Sequence, residues 1–371
     1  MDRVDNIQAS KQKKVSDNNQ NRYDFIIVGQ GLAGSVLAYS LMQKKQKVLV
    51  IDEEAQSSSS RVAAGLCNPV VFKRLTKSWM IDEVLPFAKA FYQNQETLLN
   101  EQFYFDVPLY KLFVDEKEQQ FWKQKSNEPH LFDWINDKTE FPFDATHLTY
   151  PFGAAKTLQS GFLKTASWLS KFKNYLIDNN AYLNQKFDYS KIELIENGVV
   201  WNGYRAKKII FCEGYQCTHN PYFDWLPFKL TKGEVLTVKF KNLELKHAIN
   251  KGVFVLPYED NYKLGATYNW DELDEVPTQE GKEQLLKRAA RFIDDDIEII
   301  SHKAGVRPTV SDRRPLLGIH PKEKQLAVFN GMGTKGVMLA PYFANKMVHL
   351  MLKNEPLPSE VNINRFIKKE A

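Results

Sequence analysis

The chain has few cysteines and no long apolar segment. Its 371 residues include only Cys67, Cys212 and Cys217, and their spacing matches neither a zinc site nor a disulfide framework. No run approaches the roughly 18 uninterrupted apolar residues of a membrane-spanning helix. Residues 1–22 are rich in Asn, Gln, Asp and Lys and lack the apolar stretch of a signal peptide. These absences predict a cytoplasmic protein with no membrane contact and a disordered tail over 1–22.

Metal-binding and nucleophilic patterns are also missing. The seven histidines are scattered and none has metal-ligand spacing, so no metal is expected. No Ser/His/Asp or Cys/His arrangement has a recognisable local signature. Lys and Arg number 50 against 45 for Asp and Glu, a net charge of +5, which does not by itself imply a nucleic-acid partner. The length allows about two domains.

The strongest positive signal is a glycine-rich turn between an apolar strand and a helix, where the sequence reads FIIVGQGLAG. In this G-x-G-x-x-G pattern Gly29 permits the tight turn and Gly31 lets the backbone approach a pyrophosphate. Gly34 allows the helix to pack against the strand. Leu32 and Ala33 open that helix, whose N-terminus would receive the phosphates.

A second apolar strand follows the helix and ends in an acid. Lys47–Ile51 is the strand and Asp52 follows it, about 20 residues after the glycines, where a carboxylate bonds a ribose hydroxyl. Glu53 is the neighbouring substitute for that role. Strand, glycines, helix, second strand and acid in this order predict a dinucleotide site.

Further elements follow from apolar spacing. Helical periodicity predicts helices over 80–99, 165–178, 280–293 and 336–353. A buried strand is expected at 207–214, and Asn197-Gly198 reads as a hairpin turn. The alternating runs from 228 to 268 predict an antiparallel sheet.

Two C-terminal motifs resemble the D-amino-acid oxidase (DAO) family of flavoproteins. They are AGVRPTVSDRRPLLG over 304–318 and LAVFNGMGTKGVMLAP over 326–341, with shorter matches at 63–69, 211–214, 255–257 and 265–267. The likeness runs from about residue 23 to 352. Within the family the sequence is similar to glycine oxidase and to the oxidoreductase module of the bacterial enzyme that completes 5-methylaminomethyl uridine in the tRNA wobble position.

The resemblance implies FAD rather than NAD. It also implies an α/β fold with an FAD-binding Rossmann-like βαβ domain and a second, substrate domain built on an antiparallel sheet. The expected FAD-binding domain is discontinuous, over 23–85, 150–225 and 300–352. The expected substrate domain covers 86–149 and 226–299, and a C-terminal tail covers 353–371.

Cofactor contacts are expected mostly where the motif and the family matches fall, with Glu53, Arg61 and Phe187 outside those stretches. The residues are Gly29, Gly31, Leu32, Ala33, Gly34, Asp52, Glu53, Arg61, Ala64, Gly65, Phe187, Gly214, Gly331, Gly333, Thr334, Lys335 and Gly336. The positive end of the last helix, aided by Lys335, would stabilise negative charge that develops on the flavin pyrimidine ring.

Arg307 and Lys335 are the expected catalytic residues. The family uses the Arg of the G-x-R-P motif to bind a carboxylate, which a guanidinium can do with two parallel bonds. The alternative for Arg307 is an ion pair with an acid such as Asp312. Two departures bear on the substrate: glycine oxidase has Tyr where this chain has Phe254, and its second substrate-side Arg falls on Thr334.

The expected reaction is therefore oxidation of a C–N bond in a small carboxylate-bearing amine, either an amino acid or an N-substituted glycine, by hydride transfer to flavin N5. The same oxidation of a carboxymethylaminomethyl wobble uridine in tRNA is the first alternative. A flavin-binding protein without turnover and an NAD-dependent dehydrogenase are alternatives of other classes. The oligomeric state is left open.

Overall fold

The computed structural model describes residues 21–53, 58–137 and 145–367. Most of the predicted N-terminal tail therefore lies outside the described residues. The α-helices are α1 (Leu32–Met42), α2 (Ser59–Val62), α3 (Ile81–Leu99), α4 (Glu116–Ser126), α5 (Thr165–Asp178), α6 (Gln279–Ala289) and α7 (Gly336–Lys353). The helices predicted from apolar spacing at 80–99, 165–178, 280–293 and 336–353 are confirmed by α3, α5, α6 and α7.

A six-stranded sheet carries the glycine-rich turn. In spatial order its strands are β11 (Tyr182–Asn184), β2 (Val48–Asp52), β1 (Phe25–Val28), β15 (Lys208–Phe211), β22 (Leu326–Asn330) and β21 (Leu316–Ile319). All neighbours are parallel except β21 and β22. Strand β1 is buried along its whole length, which explains its continuous apolar sequence. Because the chain continues to β2 on one side of β1 while β15 lies on the other, the ends of these strands form a crevice where ligands bind.

An eight-stranded sheet forms the second layer. Its strands in spatial order are β20 (Ile297–Arg307), β16 (Thr231–Phe240), β19 (Asn261–Gly265), β18 (Phe254–Tyr258), β17 (Ala248–Asn250), β7 (Leu109–Leu112), β9 (Ala154–Thr157) and β8 (Ile135–Asn136). Neighbours are antiparallel except β17 and β7. The α/β fold with an antiparallel second sheet is thus confirmed.

The domain boundaries stay a prediction, with two local corrections. Strand β9 and residues 300–307 of β20 come from segments assigned to the cofactor domain, yet both strands belong to the antiparallel sheet because their ladders are made with β7 and β16. The segment expected as a tail from 353 is described as far as 367. There Ile363 is fully buried and Leu317 N donates to Val361 O at 2.9 Å, so this stretch packs on the core.

Smaller sheets complete the fold. Their strands are β3 (Leu66–Cys67), β4 (Val70–Val71), β5 (Thr76–Lys77), β6 (Tyr104–Asp106), β10 (Gly161–Leu163), β12 (Ile192–Ile195), β13 (Gly198–Trp201) and β14 (Tyr204–Ala206). Strands β12 and β13 pair antiparallel with Ile195 opposite Gly198, which confirms the hairpin expected at Asn197-Gly198.

Candidate cofactor and substrate site

A cavity of about 760 Å³ lies between the carboxyl ends of the parallel strands and the face of the antiparallel sheet, a volume typical of cofactor and ligand sites. Most of the sequence-predicted site residues line it: Gly29, Gly31, Leu32, Ala33, Asp52, Glu53, Arg61, Ala64, Gly65, Phe187, Gly214, Arg307, Gly333, Thr334, Lys335 and Gly336. Gly34 and Gly331 are not among the residues that line the cavity. The fold therefore brings together residues as far apart in the chain as Gly29 and Gly336.

The three motif glycines face different surroundings. Gly29 has φ +102°, and a Cβ atom there would lie 2.6 Å from Cys212 O. A Cβ on Gly34 would lie 1.9 Å from Gly29 O. Backbone atoms therefore leave no room for a side chain at Gly29 or at Gly34. A Cβ on Gly31 would meet only Ser60 Oγ, at 3.3 Å. The space in front of Gly31 is thus open to the cavity.

The N-terminus of α1 lies beside this space. Gly31 precedes the helix with no side-chain cap, and the first turn holds no acid. Leu32 N donates to Ser60 Oγ at 3.0 Å. A helix N-terminus with room beside it and no competing carboxylate fits a pyrophosphate.

Asp52 closes the glycine-rich turn from the end of β2. Its Oδ1 accepts a hydrogen bond from Gln30 N at 2.9 Å. Burial raises the pKa of the Asp52 carboxyl, while the bond from Gln30 and the charge of Arg61 oppose that rise. Arg61 Nη2 in turn donates to Gln30 Oε1 at 3.4 Å. Glu53 is exposed, so Asp52 is the better-placed acid for a ribose.

Glu213, at the end of β15, was missed by the sequence analysis as a site residue. It lines the cavity, accepts from Tyr189 OH at 2.5 Å and accepts from Asn220 Nδ2 at 2.8 Å. Burial raises the pKa of Glu213 to about 7. Phe187 stacks on Trp201 nearby, with ring centroids 4.7 Å apart. Two signals were available for Glu213, namely its position after a buried strand and the family match at 211–214.

The loop before α7 forms the opposite wall. Gly331 and Gly333 have φ of +73° and +56°, a left-handed conformation that favours glycine. Lys335 Nζ donates to Ser78 Oγ, and burial lowers the pKa of Lys335 to about 8. The first turn of α7 holds no acid. This helix N-terminus and Lys335 together present positive charge to the cavity.

Arg307, the last residue of β20, lies on the antiparallel side. Its Nη1 donates to the carbonyls of Lys232 and Thr267, both at 3.4 Å, and its guanidinium lies 4.7 Å from the ring centre of Tyr268. Asp312, the alternative partner, is bonded by Arg365 at 2.8 Å instead. Within the described residues Arg307 therefore has no carboxylate partner, and its charge is free for a ligand.

Two further cavity-lining residues, Tyr268 and Glu275, were not anticipated. They belong to a loop whose acidic sequence resembles a solvated turn, so nothing in the local sequence indicated that they line the cavity.

The three cysteines are buried. Over 21–53, 58–137 and 145–367, no group of His, Cys, Asp and Glu could hold a metal ion. No helix in the same ranges is long and apolar enough to cross a membrane.

Comparison with protein families decides the cofactor. The DAO family model, described as FAD dependent oxidoreductase, matches residues 24–350. The chain belongs to this family. It is an FAD-dependent oxidoreductase, and the NAD alternative is thereby wrong. The open Gly31 cradle and the two uncapped helix N-termini fit FAD, with the first helix suited to its pyrophosphate.

This DAO chain is similar to proteins of more than one activity. Glycine oxidase of Pseudomonas aeruginosa is 22% identical, over 90% of this chain and 95% of that protein. The tRNA 5-methylaminomethyl-2-thiouridine biosynthesis bifunctional protein MnmC of Legionella pneumophila is 26% identical, over 80% of this chain and 45% of that protein. The crystal structure of glycine oxidase from Geobacillus kaustophilus superposes with a TM-score of 0.76 at 20% identity, over 91% of this chain and 96% of that one.

Proposed function

We propose that the protein oxidises the C–N bond of a small carboxylate-bearing amine, an amino acid or an N-substituted glycine. The observation that carries this proposal is the unpaired guanidinium of Arg307 in the wall of the cavity. Arg307 is half-buried, and a charge partly removed from water without an opposite charge is costly. A substrate carboxylate would supply the missing anion through two parallel bonds.

The surroundings of Arg307 suit it to hold a ligand in one orientation. Lys232 O and Thr267 O accept from its Nη atoms, and Tyr268 covers one face of the guanidinium. These contacts limit the rotamers of Arg307 without neutralising it. A carboxylate bound there would place the rest of the substrate at a defined position in the cavity, which is the main contribution of positioning to rate.

FAD, when bound, supplies flavin N5 as the acceptor of the hydride that leaves the carbon beside the substrate nitrogen, and water then hydrolyses the imine. The chain contributes binding and electrostatics. Gly31 and the N-terminus of α1 would receive the pyrophosphate, and Asp52 the ribose. Lys335 and the N-terminus of α7 present positive charge to the cavity, where they would stabilise developing negative charge.

Similarity to glycine oxidase supports a glycine-like substrate moiety. Two cavity-lining positions bear on how the carboxylate of that moiety would be held. Phe254 and Thr334 line the cavity and offer one hydroxyl between them. A second cation for the carboxylate is thus missing from these two positions. We therefore infer that Arg307 alone supplies the cationic contact, and that binding energy for the rest of the substrate comes from the remaining cavity surface.

The tRNA alternative rests on the similarity to MnmC. Exposed Tyr268 and Trp270 stack with centroids 6.3 Å apart, which suits a base. However, the same loop carries Asp271, Glu272 and two more acids over 271–275. Nucleic-acid binding depends on cations that neutralise phosphates. The negative charge beside the cavity thus favours a small-molecule substrate over tRNA.

The test is anaerobic mixing of the purified holoenzyme with separate substrate classes while the flavin absorbance is recorded. The panel contains free amino acids, N-alkylglycines, matched amines without a carboxylate, and undermodified tRNA. We expect N-alkylglycines or amino acids to bleach the flavin and their decarboxylated counterparts to be at least about a hundredfold slower. Reduction by tRNA alone would replace the proposal with the tRNA reaction. No reduction by any compound would favour a flavin-binding protein without turnover.

A further inference from the structure

The loop between β19 and α6, residues 266–278, carries four acids in five positions. They are Asp271, Glu272, Asp274 and Glu275. The first three are exposed, whereas Glu275 is half-buried and lines the cavity that also contains Arg307. The four acids therefore have different surroundings, and only the last faces the site.

A buried lysine accounts for two of the acids. Lys232 in β16 is fully buried, with its Nζ 2.6 Å from Asp274 Oδ1 and 3.9 Å from Glu272 Oε2. Asp274 Oδ1 also accepts from Val276 N at 3.0 Å. These contacts anchor the loop to the sheet. They leave Glu275 out, although it directly follows Asp274.

Glu275 has no corresponding partner. Its Oε1 atom is buried and makes no hydrogen bond within the described part of the chain. Burial raises the pKa of the Glu275 carboxyl to about 7, and its charge adds to the burial that raises the pKa of Tyr215. Buried carboxylate oxygens almost always have partners, because an unmet one costs free energy. A ligand that brings a donor and a positive charge would remove that cost.

The nitrogen that Glu275 would meet is not the one being oxidised. Loss of hydride from the carbon beside an amine requires the nitrogen lone pair, so the reacting amine must be neutral. A cation that stays bound to a carboxylate must therefore be a second nitrogen. Both Arg307 and Glu275 line the cavity. They match a substrate that carries a carboxylate for Arg307 and a separate positively charged nitrogen for Glu275.

We propose that Glu275 binds a second, positively charged nitrogen of the substrate, so that the site selects carboxylate-bearing amines of the diamino class, such as an N-(aminoalkyl)glycine or a diamino acid. This inference rests on the proposed oxidation of a carboxylate-bearing amine. Glu275 is a specificity-determining residue in it, and no bond is made or broken at its carboxyl.

The test compares two ligands that differ in one terminal group, N-(3-aminopropyl)glycine and N-butylglycine. Binding to the holoenzyme is followed by perturbation of the flavin absorbance, and flavin reduction by bleaching. The variant is Glu275→Gln, which keeps the size and removes the charge. Asp271→Asn is the matched control, since it makes the same change in the same loop at an exposed side chain that is not part of the cavity wall.

We expect the wild type to bind and use the aminopropyl compound at least about tenfold better, because a hydrogen bond between charged groups exceeds a neutral contact by about that factor. Glu275→Gln should reduce the preference to about twofold or less, through weaker binding of the aminopropyl compound. Asp271→Asn should keep the preference.

The outcomes separate this inference from the proposed function. If both ligands bleach the flavin with equal efficiency in wild type, the inference is overturned and the proposed function stands. If neither bleaches it, but the aminopropyl compound binds more tightly and loses that advantage in Glu275→Gln, the site is supported, and the proposed reaction fails if the amino acids of the wider panel do not bleach the flavin either. If Glu275→Gln slows flavin reduction by both ligands equally, the inference is overturned, and Glu275 instead affects the reaction without regard to the terminal group of the ligand. Absence of binding by both ligands overturns the inference, whereas the proposed oxidation is then decided by the free amino acids of the wider panel.

Discussion

Gly233 lies directly beneath the guanidinium of Arg307. A Cβ atom built on Gly233 would stand 1.9 Å from Arg307 Nη2 and 2.2 Å from its Cζ. The two residues are diagonal neighbours on adjacent strands, since Gly233 pairs with Gly305 and Arg307 pairs with Thr231 in the ladder of β16 and β20. The guanidinium can occupy this position because residue 233 has no side chain.

Gly233→Ala should displace Arg307 without unfolding the protein. The clash falls on the far end of a flexible side chain, which can move, and Gly233 is in an ordinary strand conformation. We expect kcat/KM to fall by about 10- to 100-fold, the cost of misplacing a binding group by about 1 Å. The melting temperature and FAD content should stay near wild type. Unchanged kinetics would show that the observed position of Arg307 is not the one used in substrate binding.

Arg307→Ala should lower the catalytic efficiency through substrate binding. Removal of one partner of a buried charge pair costs roughly 2–5 kcal/mol. Arg307→Lys should recover only part, because lysine keeps the charge but loses the planar fork. Steady-state kinetics on the best carboxylate-bearing amine, with FAD content as the control, measure both effects. Wild-type efficiency in the alanine variant would contradict a role for this residue with the carboxylate.

Gly31→Val and Gly34→Ala should fail in different ways. At Gly31 the nearest atom to a new Cβ is Ser60 Oγ at 3.3 Å, so the variant should fold but lose FAD, since valine would fill the pyrophosphate space. At Gly34 a Cβ would lie 1.9 Å from the backbone oxygen of Gly29. Overpacking against backbone costs about 1–3 kcal/mol or more. Flavin absorbance and circular dichroism of the purified variants distinguish the two, and stoichiometric FAD in Gly31→Val would exclude this loop as the pyrophosphate site.

Substitution of Asp52 should weaken FAD binding without abolishing it. One bond from a charged group contributes about 1.5–3 kcal/mol, while the phosphate contacts remain. Asp52→Asn keeps an acceptor for Gln30 N, whereas Asp52→Ala also removes that bond, so alanine should be the more severe change. Glu53→Ala, at an exposed side chain, is the control. An FAD dissociation constant that changes in Glu53→Ala and not in Asp52→Ala would transfer the ribose contact to Glu53.

Lys335 should impose an upper pH limit on activity. Because burial lowers its pKa to about 8, the side chain is charged below that pH and becomes neutral above it. Stabilisation of negative charge in the site should therefore fade as pH rises through about 8. Lys335→Met should be slow at all pH values and lack this decline. The substrate ammonium titrates alike in both proteins, so the difference between the two pH profiles of kcat/KM reports Lys335, and identical profiles would remove its electrostatic role.

Local sequence determined the parts of the site that depend on short-range geometry. The order strand, glycines, helix, strand and acid predicts a phosphate-binding turn, because each glycine meets a steric requirement within a few residues. Helices α5 and α7 and the hairpin at Asn197-Gly198 followed in the same way from apolar spacing and turn chemistry. Arg307 stood out through its family motif, and the alternative pairing with Asp312 was settled only when Arg365 was found beside that acid.

Long-range packing decided the rest. Strand β9 and most of β20 lie in segments expected in the cofactor domain, yet they pair in the antiparallel sheet, because strand partners are determined by hydrogen bonding across space. Glu275 sits in a run of acids that looks like solvated surface. Its distinct role depends on buried Lys232, which is held by Asp274 and lies more than forty positions away. The amino-acid sequence thus determined the cofactor turn, whereas which charges remain unpaired in the cavity was decided by the tertiary structure, since pairing depends on distance and burial rather than on order along the chain.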